Sequence, residues 1–107
     1  WGTGSPKREF LHVDDLADAC LFLIEHYSSI EFVNVGSGRE ITIKDLALMV
    51  KKATGYQGDL VFDPSKPDGT PRKLMDGDKL KALNWQPKIT LEVGLKSVID
   101  AYLATTA

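Results

Sequence analysis

Apolar residues recur at helical spacing in three stretches of this chain. Leu16, Ala19, Cys20, Leu23, Ile24 and Tyr27 fall three and four apart, which predicts a helix with one apolar face. Asp14 is its expected N-cap, and Asp15 adds negative charge at the positive end of the helix dipole. A second stripe, Ile43, Leu46, Ala47, Val50 and Ala53, follows Thr42 and Asp45, which read as a short form of the capping box. Gly55 is placed to end that helix. The third stripe is Leu91, Leu95, Val98, Ile99, Tyr102 and Leu103, capped by Thr90, and a shorter helix from about Asp76 to Leu83 presents Leu80 and Leu83.

The segments between the helices predict strands. REFLHV (8–13) reads as a short one, EFVNVGSG (31–38) as a buried strand running into a glycine turn, and DLVF (59–62) as a third. NWQPKIT (84–90) is an extended connector. Strands alternating with helices give an α/β or α+β-like unit, one domain over 1–107 with about four helices and two or three short strands. So few strands make a poor sheet. Residues 32–35 are apolar on both faces, as in a strand inside a larger parallel sheet, so the chain is expected to be part of a larger fold. A first residue of Trp in place of Met fits that expectation.

Composition narrows the partners. Hydrophobic residues make up 43% and charged residues 26%, with a net charge of −2, so neither a nucleic acid nor an anionic membrane surface is expected. The longest apolar run, ACLFLI (19–24), is too short to cross a bilayer, and no secretory leader is visible. A single cysteine, Cys20, excludes an internal disulfide framework and points to a reducing, cytoplasmic setting.

Two segments carry candidate chemistry. WGTGSPKREF (1–10) combines a glycine-rich turn with Lys7, Arg8 and an aromatic residue suited to stacking, Trp1. Its plain alternative is a loose terminus before an edge strand. KPDGTPRK (66–73) is stiffened by prolines and offers Asp68 as an acceptor for sugar hydroxyls, with Arg72 and Lys73 as phosphate donors. Its alternative is a rigid connector with solvated charges. VGSGRE (35–40) is not a dinucleotide fingerprint, because position 41 is Ile where a third glycine is needed. His12 is expected to be a packed, hydrogen-bonded residue, His26 a surface residue and Cys20 a small core residue. No zinc-ligand spacing, no Ser-His-Asp arrangement and no Tyr with Lys four positions later is present, so no reaction centre is evident.

The sequence WGTGSPKREFLHVDDLADA, with FDPSKPDGTPRKLMD about fifty residues on, closely resembles the GDP-L-fucose synthase branch of the extended short-chain dehydrogenases/reductases, of NAD-dependent epimerase/dehydratase type. FVNVGSG, TIKDLA and LNWQPKITLEVGL stand in the order of that family. The resemblance implies an NADP(H)-dependent epimerase-reductase that converts GDP-4-keto-6-deoxy-D-mannose to GDP-L-fucose. It implies substrate contacts for Trp1, Arg8 and Asp68, with Lys73 as a further nucleotide-side group, and no catalytic residue within the chain. The family's cofactor domain and catalytic residues lie N-terminal to this region. The chain is therefore expected to be the C-terminal substrate-binding part, inactive and cofactor-free alone, and prone to self-association where that domain would pack. The complete enzyme is expected to be a homodimer. The alternatives are the same part of another nucleotide-sugar epimerase or dehydratase, and a non-catalytic module that binds nucleotide or a partner chain.

Overall fold

The computed structural model describes residues 1–106. Its elements in chain order are β1 (Lys7–Glu9), α1 (Val13–His26), β2 (Glu40–Thr42), α2 (Ile43–Thr54), β3 (Arg72–Lys73), α3 (Asp78–Ala82) and α4 (Leu91–Thr106). The mixed α/β class and the four helices agree with the sequence pattern; the strands do not. The strand expected over 8–13 is three residues long, because the chain turns at His12 to start α1. Neither the 31–38 segment nor 59–62 forms a strand or joins the sheet. β2 and β3 take their place in a sheet of order β2-β1-β3. β1 pairs antiparallel with β2 (Lys7 with Thr42, Glu9 with Glu40) and parallel with β3 (Lys7 with Arg72, Arg8 with Lys73).

The N-cap of α1 is His12, not Asp14: its Nδ1 accepts the Asp14 N–H at 3.0 Å. Nε2 lies 3.0 Å from Ser97 Oγ on α4, so His12 is the packed, hydrogen-bonded histidine expected. Asp15 is no simple helix-start charge either. It is 3% exposed and accepts the backbone N–H groups of Lys88 and Ile89 at 3.1 and 2.9 Å. One turn on, Asp18 accepts the Trp85 indole N–H at 2.9 Å. The core-facing side of α1 thus runs through Asp15, Asp18, Ala19, Phe22 and Leu23, where two carboxylates fasten the 85–89 connector. Cys20, expected in the core, is exposed, and so are Val13, Leu16 and Ile24. Of the expected stripe Ala19 and Leu23 do face the core, but the buried face is rotated toward Asp15 and Asp18 and away from Leu16, Cys20 and Ile24, because it is partly acidic.

The core is small: Ala19, Leu80 and Trp85 are its buried hydrophobic residues, with Leu11, Phe22, Leu23, Val33 and Val35 packed against them. α2 matches its local signals. Thr42 Oγ1 accepts the Asp45 N–H at 3.1 Å, and Gly55 closes the helix in the left-handed conformation at φ 71°. Thr90 Oγ1 likewise accepts from Val93 N at the start of α4.

Candidate functional site

The opening WGTG segment is built into the fold. Gly2 N donates to Asp63 O at 2.8 Å, while Gly4 O and Pro6 O accept from Lys44 N and Ile43 N at the start of α2. Gly2 and Gly4 adopt φ of 77° and 80°, where an L side chain is strained, and both lack room for one. A Cβ on Gly2 would strike the Asp68 carboxylate, and one on Gly4 would lie 2.6 Å from the Phe62 ring. Residues 1–6 therefore run between α2 and the proline-rich loop, and the loose-terminus alternative does not hold.

Asp68 supplies the other half of that junction. Its Oδ1 accepts the Thr3 N–H at 2.6 Å and its Oδ2 accepts the Thr3 hydroxyl at 2.9 Å. Trp1 is largely exposed, with Lys66 Nζ 5.4 Å from its ring centroid, a cation–π contact that covers one face and leaves the other open. The loop's entry is fixed by an Asx turn in which Asp63 Oδ1 accepts from the Ser65 hydroxyl (2.5 Å) and amide (3.0 Å). Those bonds hold the Asp63 carboxyl below its ordinary value of 3.8, the hydroxyl contributing most.

Arg8 and Lys73 are cross-strand partners in the parallel β1–β3 ladder, so their side chains leave the same face of the sheet. Arg8 Nη1 donates to Lys7 O at 2.7 Å, and its Nη2 lies 3.8 Å from the place a Gly69 Cβ would occupy. The guanidinium thus rests against the Pro67-Asp68-Gly69 segment. Arg72 goes the other way: on the opposite face its Nε donates to Glu40 Oε1 at 2.5 Å, which raises the pKa of its guanidinium above the ordinary value. Of the two phosphate donors expected in the loop, one is already committed. The fold gathers Trp1, Asp68 and the Arg8–Lys73 pair along β1 and the loop beside it.

Glu9 is a residue the sequence reading missed. Its Oε2 accepts the Gly38 N–H at 2.8 Å and its Oε1 the Met75 N–H at 3.2 Å. A Cβ on Gly36 would lie 2.6 Å from the same carboxylate, so the glycine turn closes around it. The only available signal was an acidic residue in a short strand beside Arg8, which does not name its partners. The contact also bears on a nicotinamide dinucleotide. Gly38 N, which a pyrophosphate would need, already serves a carboxylate, and the turn runs into β2 instead of a helix. This turn does not fit the pyrophosphate of that cofactor. A cavity of about 460 Å³ opens between this turn, residues 74–78 and Trp85, and includes none of the four expected site residues. No group of three or more potential metal ligands occurs among the described residues, and no helix among them is long and apolar enough to cross a membrane.

Residues 1–36 match the model of the NAD dependent epimerase/dehydratase family. Over 103 residues the chain is 62% identical to a protein of Oryza sativa subsp. japonica named probable GDP-L-fucose synthase 1, covering 96% of this chain and 31% of that one. A GDP-L-fucose synthase of Sinorhizobium fredii is 48% identical over 107 residues, covering the whole chain and 34% of the relative. Among solved structures, a GDP-L-fucose synthetase from Naegleria fowleri bound to NADP superposes with a TM-score of 0.92 at 30% identity, covering 98% of this chain and 34% of that one. The chain spans about a third of the length of the curated relatives it matches.

Proposed function

We propose that this chain, a homologue of the GDP-L-fucose synthases over nearly all of its length, is the part of such an enzyme that binds the GDP-sugar. The whole enzyme is an NADP(H)-dependent epimerase-reductase that acts on GDP-4-keto-6-deoxy-D-mannose and makes GDP-L-fucose. In this reading residues 1–107 are its C-terminal substrate-binding domain. Arg8 and Lys73 meet the diphosphate, the open face of Trp1 stacks on a flat group, and Asp68 adds hydrogen-bond acceptors. The groups that hold the nicotinamide and perform the chemistry lie outside residues 1–107, so the chain by itself oxidises no NADPH.

The observation that carries the reading is the Arg8–Lys73 pair. Two cations leave one face of a sheet at ladder spacing, beside a proline-stiffened loop that loses little freedom when a ligand arrives. Two phosphates in series match two neighbouring cations; a neutral sugar does not. A calorimetric titration of the full chain with GDP, with UDP as control, tests it. Selective uptake of GDP, even with a Kd near ~1 mM (about −4 kcal/mol), supports the reading, and no heat with either nucleotide sinks it for residues 1–107 acting alone.

A further inference from the structure

Arg72 and Lys73 adjoin in sequence but leave opposite faces of the sheet, and only Lys73 shares a face with Arg8. On the other face Arg72 reaches from β3 past β1 to Glu40 on β2, the full width of the sheet. Building on the GDP-sugar reading, we propose that the Arg72–Glu40 pair is a positioning lock. It ties β3 to β2 across β1, holds Lys73 beside Arg8, and keeps Arg72 itself off the ligand.

Three observations carry this. β3 is only two residues long, so its ladder does little to fix its own register. A slip of one residue would turn Lys73 to the wrong face and present Arg72 instead. Glu40 is the more buried partner, its side chain 15% exposed against 63% for Arg72, so losing the cation leaves a poorly solvated carboxylate behind. And Glu9 stands directly opposite Glu40 in the β1–β2 ladder. Without Arg72, two carboxylates of like charge face one another at the strand that carries Arg8.

The test compares Arg72→Gln, Glu40→Gln, their double variant and the charge exchange Arg72→Glu/Glu40→Arg in the full chain. One readout needs no ligand: hydrogen exchange at the Lys7 amide, which donates to Pro71 O at 2.9 Å beside β3. The other is affinity for GDP and for guanosine. Each single variant is expected to speed Lys7 exchange and weaken GDP by roughly tenfold, a coupling typical of contacting pairs, and the double variant by no more than either single. Guanosine affinity should stay unchanged, and the charge exchange should restore both readouts, since it also places a cation opposite Glu9. If Glu40→Gln matches wild type while Arg72→Gln weakens GDP, Arg72 holds the phosphate itself and the lock is wrong. Equal loss for guanosine and GDP would also sink it, as would unchanged Lys7 exchange in both single variants. If wild type takes up no GDP, the nucleotide reading fails on its own, and Lys7 exchange still decides the lock.

Discussion

Asp15 follows a helix start, yet it behaves as a core residue. Its two oxygens are the partners of the Lys88 and Ile89 amides, so Asp15→Ala leaves both donors orphaned near the core. At 1–3 kcal/mol per unsatisfied buried group, a loss of about 3 kcal/mol is expected in urea unfolding, and Asp15→Asn should lose less because it keeps one acceptor oxygen. Asp63 is the pH-sensitive counterpart. Its folded pKa is depressed, so its contribution to the turn is complete above its unfolded value of 3.8 and fades as pH falls through the lower folded value. An NMR titration should put the Asp63 midpoint below 3.8, and Ser65→Ala should move it back up. At the proposed ligand site, Arg8→Ala and Lys73→Ala should each weaken GDP by roughly tenfold or more, as expected for charge-assisted contacts of about 1.5–3 kcal/mol, read by the same calorimetry. Asp68→Ala has a different signature. It frees Thr3 and loosens the WGTG turn, so it should alter the environment of the Trp1 ring even without nucleotide, seen in the indole fluorescence.

Among the elements, α2 was the most legible. Its start at Thr42 and its stop at Gly55 are written in residues that act on their own turn, through a side-chain cap and a left-handed backbone. Thr42→Ala and Gly55→Ala should each cost about 1 kcal/mol in thermal or chemical unfolding. The strands were the least legible. β2 and β3 are three and two residues long and exist because β1 lies between them. No periodicity fits in so short a segment, and what makes Arg72–Lys73 a strand is a neighbour more than sixty residues earlier. The reverse error, a strand assigned to 31–38, has the same source. The residues suit a ladder, but none of the described segments offers one. Instead the segment is fastened through side chains, with Lys79 Nζ donating to Phe32 O at 3.1 Å and Asn34 Nδ2 to Asp76 O at 3.4 Å.

As a whole molecule the chain is a slab, with principal extents of 49 × 35 × 18 Å. A body that thin buries little, which accounts for a core of three hydrophobic residues. It leaves Val13, Leu16, Leu21 and Ile24 of α1 exposed, together with Ile30 and Phe32 beyond its end. Apolar surface of this kind favours association. Light scattering of residues 1–107 should therefore show a mass above that of one chain that rises with concentration. A clean monomer at high concentration would count against the expectation.

By itself the sequence determined the helices, the caps of α2 and α4, the mixed α/β class, and the segments that carry the candidate chemistry. Those depend on spacing and on side chains that act within one turn, so they are local. Tertiary structure alone decided which face of α1 is buried, which short segments become strands, that Asp68 anchors Thr3, and that adjacent Arg72 and Lys73 face opposite ways. Each of these is settled by a partner distant in the chain, and residue type states what a side chain can bond to, not which partner the fold brings within reach.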